Sequence, residues 1–143
     1  MGAYVADAAV KQMIAAGQAP KNSKVVILGL TFKENCPDTR NSKVNDIIKQ
    51  LNTYGIEPVV VDPWASDRDA KKEYGVILTK LESVKDADCV IVAVAHNEFK
   101  TLGLEKVKGL YRKEDDEKKV LIDVKGLYSI KELKKSGMRW WRL

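Results

Sequence analysis

The sequence predicts an α/β chain of the Rossmann-like, doubly wound class, with a mainly parallel sheet of about five or six strands and an N-terminal helix. Two observations carry that prediction. Short, wholly apolar runs such as Val25-Val-Ile-Leu28 and Cys89-Val-Ile-Val92 suit strands buried on both faces. Between them lie segments of helical period, and that alternation folds as βαβ units.

Residues 4–16 read as a helix, because Val5, Ala9, Met13 and Ala16 share one side and Asp7 pairs with Lys11. Gly17 and Pro20 stop it. The first strand is Lys24 to Leu30. Val44, Ile47, Ile48 and Leu51 form the face of the next helix, which ends at Gly55. Pro58 to Val61 is the second strand, closed by the turn-forming pair Asp62-Pro63. A helix follows from about Ser66, its N-cap, to Glu73. Val76 to Leu78 is expected as a short third strand and Lys80 to Lys85 as a short helix. Asp88 to Ala95 holds the fourth strand, and His96-Asn97 lead into a helical turn near Phe99. Residues 103–119 have mixed charge and no clear period, so they are expected as loop. Val120 to Asp123 is the fifth strand, Ile130 to Lys135 a helix ended by Gly137, and Met138 to Trp141 a last strand.

A chain of 143 residues, 45% hydrophobic and 31% charged, has room for one domain with one core. No apolar run approaches the roughly 20 residues that span a bilayer. The start, Met1-Gly-Ala-Tyr-Val-Ala-Asp7, lacks the pattern of a signal peptide, so a cytoplasmic location with no membrane contact is expected. The net charge of +5 comes from 25 basic and 20 acidic residues, with no basic stripe interleaved with aromatics. That argues against a nucleic-acid partner and for a local positive cleft. Two cysteines and one histidine make neither a disulfide framework nor a zinc site. Cys89 reads as a buried small hydrophobe and Cys36 as an inert thiol.

In an open parallel sheet, ligands sit outside the carboxyl ends of the strands. Residues 31–40, Asp62, Thr79-Lys80, His96 and Lys125 fall there. The segment Gly29 to Lys43 opens as strand, loop and helix, yet it holds a single glycine and so lacks a glycine-rich phosphate turn. It carries Lys33 and Arg40 instead, with Phe32 beside one and Asp38 near the other. Such a loop meets an anion through side chains, and Lys125 adds a third cation for a diphosphate. Each residue also has a plain structural reading: Phe32 caps the core, Lys33 is solvated, and Arg40 pairs with Asp38. The last can hold together with an anion contact. Asp62 fits a turn better than a ribose contact, His96 fits capping or packing, and Trp140 and Trp141 fit the core.

Gly29-Leu-Thr-Phe-Lys33, Asp38-x-Arg40-x-Ser42 and Val61-Asp62-Pro63, in that order and spacing, resemble the C-terminal domain of the nucleotide-sugar 6-dehydrogenases. These are the UDP-glucose, GDP-mannose and UDP-N-acetylhexosamine dehydrogenases. The likeness runs from about Tyr4 to the last residue. Asn35-Cys-Pro-Asp38 and Asp123-Val-Lys-Gly126 are nearest to the UDP-N-acetylhexosamine branch. The resemblance implies that Phe32, Lys33 and Lys125 contact a UDP-sugar and that Arg40 contacts NAD, whose pyrophosphate suits a guanidinium. Members of the resembled family place an arginine near this point to reach the substrate; Lys125 keeps the charge and lacks the fork.

The implied full enzyme resembles a three-part chain: a Rossmann domain with G-x-G-x-x-G, a helical middle with a nucleophilic cysteine, and this domain. It oxidises the sugar C6 alcohol to a carboxylate with NAD, in polysaccharide biosynthesis. Neither the fingerprint nor a glycine-flanked cysteine occurs here, so no catalytic residue is assigned. Residues 1–20 are then expected as the tail of a preceding helical region and residues 21–143 as the UDP-sugar-binding domain, inactive alone. Its implied partners are the remaining domains, in a homo-oligomer. The competing reading is a non-catalytic nucleotide-sensing or interaction module. Residues 31–40 discriminate, since such a module has no use for two cations and an aromatic on one strand-end loop.

Overall fold

The run Val25–Leu28 is apolar at every position because it has no solvent face: strand β1 is buried throughout and lies in the middle of a sheet. The computed structural model describes residues 2–143. β1 pairs in parallel with β2 (Val59–Val61) on one side and with β3 (Cys89–Val92) on the other. β4 (Val120–Asp123) and β5 (Arg139–Arg142) extend the sheet, giving the order β2-β1-β3-β4-β5, all parallel.

The third strand expected over Val76 to Leu78 contracts to a single parallel bridge from Leu78 to Val60. It lies at the sheet edge, where Ile77 is exposed and Gly75 has just turned the chain in the left-handed region. Counted as a strand, Leu78 gives the chain order 3-2-1-4-5-6, that of the dinucleotide-binding sheet.

Alternate residues of each strand face opposite sides, which splits the core in two. Val25 and Ile27 join α1 (Gly2–Ala15), α2 (Val44–Thr53) and Ala70 of α3 (Asp67–Tyr74) on one face. Val26 and Leu28 join Phe99 and Val107 of α4 (Asn97–Lys108) and Leu133 of α5 (Ile130–Ser136) on the other. Helix α1 belongs to the core: Val5, Ala6, Ala9, Val10 and Met13 are buried, and the helix packs on α2, β4 and β5. A Cβ on Gly2 would lie 2.4 Å from that of Asp46, so the smallest residue sits where the two helices approach.

Residues 104–108, expected as loop, are helical. Gly103 (φ 73°, ψ 159°) breaks α4 in the middle, so no single helical period runs through the segment. The expected helix over 80–85 is one 3-10 turn, Leu81–Ser83. Helix α5 is closed by reciprocal bonds between Ser129 and Glu132 and ends at left-handed Gly137. Trp141 packs against one core and Trp140 against the other, as alternation on a strand requires. No helix among the described residues is long and apolar enough to cross a membrane.

Candidate functional site

Strand order reverses between β1 and β3, and in this fold the ligand crevice opens at that point. Gly29 leaves β1 at φ 109°, and a Cβ there would lie 2.5 Å from Val94 Cβ and 2.8 Å from the Val94 nitrogen. Only glycine lets the first loop lie this close to the loop after β3.

His96 stands behind the crevice, fully buried, with Trp64 and Phe99 as ring neighbours at 6.2 and 5.6 Å. Its Nε2 is 3.0 Å from Asp62 Oδ2 and 3.1 Å from Thr31 Oγ1, and its Nδ1 accepts the Asn35 N–H at 2.9 Å. Asp62, at the end of β2 and 6% exposed, is a hub. Oδ2 also accepts the N–H groups of Leu30 (2.6 Å) and Thr31 (3.0 Å), while Oδ1 accepts those of Trp64 (2.7 Å) and Ala65 (3.1 Å). Burial by itself would raise the Asp62 carboxyl. The His96 ring and the Leu30 and Thr31 amides outweigh it and hold the group below the usual carboxylate range. With five protein donors on its two oxygens, this carboxylate has no capacity left for a ribose.

The first loop is pinned along its backbone. Thr31 Oγ1 donates to the Lys33 carbonyl (3.0 Å), and the Phe32 N–H donates to that of Asp38 (2.8 Å). Asn35 is left-handed (φ 55°), and its Oδ1 accepts the Asn97 N–H at 2.9 Å. Ser42 donates to the Leu30 carbonyl (2.5 Å) and accepts the Val44 N–H (3.1 Å), closing the loop onto α2. The side chains between these pins are free: Phe32 is 52% exposed and Lys33 is exposed.

Arg40 lies in the turn ahead of α2. Its Nε is 3.0 Å from Asp38 Oδ1 and its second amino nitrogen 3.3 Å from Oδ2, while its side chain is 76% exposed. Asp38 thus orients the guanidinium without covering it. The Arg40 side chain and backbone N–H hold the Asp38 carboxyl below its usual range.

Lys125 is exposed on the loop after β4. Asp123, fully buried at the end of that strand, accepts the N–H groups of Leu127 and Tyr128, both at 2.9 Å. Each of these two strand ends therefore uses a buried carboxylate to fix the loop beside it. Only β3 separates β1 from β4, so the loops bearing Lys33 and Lys125 start about 10 Å apart.

The structure adds a cation that sequence reasoning missed. A Cβ on Gly126 would lie 2.7 Å from the Arg142 guanidinium, so this last residue of β5 rests on the loop backbone next to Lys125. Arg142 pairs with no carboxylate among the described residues. Its place at the carboxyl end of the last strand was the signal.

Comparisons with known proteins converge on one family. The model of the UDP-glucose/GDP-mannose dehydrogenase family, UDP binding domain, matches residues 26–130. The UDP-N-acetyl-D-glucosamine 6-dehydrogenase of Pseudomonas aeruginosa is 45% identical over 127 residues, covering 89% of this chain and 29% of that protein. The UDP-glucose 6-dehydrogenase of Rhizobium meliloti is 28% identical over 132 residues, covering 91% of this chain and 29% of its own. Among solved structures, the NDP-N-acetyl-D-galactosaminuronic acid dehydrogenase of Methanosarcina mazei superposes with a TM-score of 0.84 over 99% of this chain and 28% of its own, at 22% identity, which shows a shared fold. The chain spans less than a third of the length of each of these proteins. Motif order, sheet topology and family match agree: the chain belongs to the UDP-glucose/GDP-mannose dehydrogenase family, its residues 26–130 matching that family's UDP binding domain.

Proposed function

We propose that the chain is the C-terminal, UDP-sugar-binding part of an NAD-dependent UDP-sugar 6-dehydrogenase, with a UDP-N-acetylhexosamine favoured over UDP-glucose. The observation that carries this is a switch-point loop whose backbone is fixed while Phe32 and Lys33 stay exposed. Phe32 offers an apolar face to the nucleotide sugar and Lys33 a charge to its diphosphate, with Lys125 reaching from the other side. Fixing the loop beforehand lowers the ordering cost of binding. The higher identity to the N-acetylglucosamine enzyme than to the glucose enzyme supports the choice of sugar.

Arg40 fits a cofactor contact, since its fork is oriented by Asp38 and open to solvent. It would meet the pyrophosphate of NAD held mainly by the remaining domains; NAD supplies the hydride acceptor. Residues 1–20 are the tail of a preceding helical region, with one face of α1 anchored in the core and Tyr4 and Ile14 exposed. The whole enzyme is cytoplasmic, homo-oligomeric and serves polysaccharide biosynthesis. In an NMR titration of the chain with UDP, amides of residues 31–40 and 124–128 should shift together. Shifts confined to other parts of the domain would refute the site. The chain with NAD and UDP-sugars should produce no NADH.

A further inference from the structure

His96 is buried and titratable, and the roles proposed above leave it unused. It joins elements far apart in sequence: the loop after β1 through Thr31 and Asn35, the end of β2 through Asp62, and the start of α4. Because Asn35 presents a backbone N–H, the nitrogen that receives it must be an acceptor, so Nδ1 carries no proton. The proton then sits on Nε2, which faces the Asp62 carboxylate, itself taking the Leu30 and Thr31 amides. We infer that His96, held as the neutral Nε2–H tautomer, is the positioning residue that presets the backbone of residues 31–35 for nucleotide-sugar recognition.

The geometry explains why a histidine is needed. One ring must accept from the loop and donate to the strand end, on opposite sides and without solvent. The pinned positions, Thr31 and Asn35, bracket the exposed side chains of Phe32, Lys33 and Glu34. Asn35 is left-handed, a conformation asparagine tolerates, and here its N–H and its Oδ1 are both engaged, by His96 and by the Asn97 N–H. Without the Nδ1 acceptor, the Asn35 N–H loses its partner and the loop is free to leave that conformation. Affinity then falls although neither ligand-facing side chain has changed.

This inference rests on the reading of Phe32 and Lys33 as the UDP contacts, and the experiment separates the two. UDP is titrated into the native chain, Phe32→Ala, His96→Gln and His96→Asn, with thermal melting and amide exchange recorded for each. Gln extends to the Nε2 donor position and loses the acceptor for Asn35; Asn keeps an oxygen near the Nδ1 position. His96→Gln should weaken UDP binding by about tenfold, equivalent to re-ordering roughly one backbone residue on binding. It should also speed exchange of the Asn35 amide, and His96→Asn should recover a substantial part of both. Imidazole nitrogen shifts of the native chain should show an unprotonated Nδ1. Phe32→Ala should lose binding with Asn35 exchange unchanged. Native affinity in His96→Gln, with binding lost in Phe32→Ala, overturns the positioning role alone. Equal binding by the native chain and Phe32→Ala, or none by either, overturns the contact reading and the positioning role together.

Discussion

Asp62→Asn is the substitution that most directly tests how the crevice is built. The change is nearly isosteric, so packing is kept and only the acceptors change. The native carboxylate receives five donors: Leu30, Thr31 and His96 on Oδ2, and Trp64 and Ala65 on Oδ1. An amide has one oxygen. Turned to serve the larger group, it sets its NH2 against the Trp64 and Ala65 amides and leaves both unpaired. Both amides are partly buried, so each lost bond costs about 1 kcal/mol and the variant should lose roughly 2 kcal/mol at neutral pH. With a urea slope of about 2 kcal/mol/M, the unfolding midpoint should fall by ~1 M.

The loss should also depend on pH. Because the folded-state carboxyl is held below its unfolded value of 3.8, the stability it contributes is fully present above that value and is lost as pH falls through the folded one. The gap between native and variant midpoints should therefore be constant from pH 7 to 5 and narrow below pH 3.8. A neutral-pH midpoint within 0.3 M of native, or a gap that does not narrow in acid, refutes the hub role.

Three further outcomes follow from the site. Gly29→Ala should cost about 2–6 kcal/mol, from backbone strain at φ 109° plus overpacking against Val94, and lower the melting temperature by roughly 10 °C; Gly17→Ala, with φ 86° and no neighbour within 4 Å, should cost clearly less, and equal losses would remove the close-approach argument. Arg142→Gln should weaken UDP binding about threefold and flatten its salt dependence without changing the melting temperature; an unchanged titration at low salt removes Arg142 from the site. In the intact enzyme, Arg40→Ala should raise the KM for NAD about tenfold and Arg40→Lys should recover part of it, whereas a lowered melting temperature shared with Asp38→Ala, at unchanged KM, would assign Arg40 to the scaffold.

The central strands were legible because a parallel strand covered on both faces is apolar along its length, as 25–28, 89–92 and 120–122 are. What sequence reading missed had no continuous local period. Gly103 interrupts α4, and Leu78 contributes one bridge where three strand residues were expected. The chemistry-bearing loop was visible as a cation pair with an aromatic, in a place where a buried strand hands over to a helix. Its mooring was not visible, because the partners lie 31 residues apart for Thr31–Asp62 and 61 apart for Asn35–His96. Sequence suggested a turn at Asp62 and capping or packing at His96, whose side chain packs and makes no cap bond. The fold gives the turn and the packing, and joins them in one pair.

That pair also accounts for the missing glycine fingerprint. In a dinucleotide-binding sheet the first loop turns bare backbone N–H groups toward a phosphate. Here the corresponding amides, Leu30 and Thr31, donate inward to the chain's own carboxylate on Asp62. An internal anion has taken the donors that a bound anion would use, so a glycine-rich turn would have nothing to offer there. An outside anion would then meet side chains farther along, where Lys33 and Arg40 stand exposed on a backbone that the inward bonds hold still. One arrangement thus explains both why the fingerprint is absent and why cations replace it. On the proposed reading, loop rigidity and ligand contact are then separable: Asp62 and His96 would govern the first, and Phe32 and Lys33 the second.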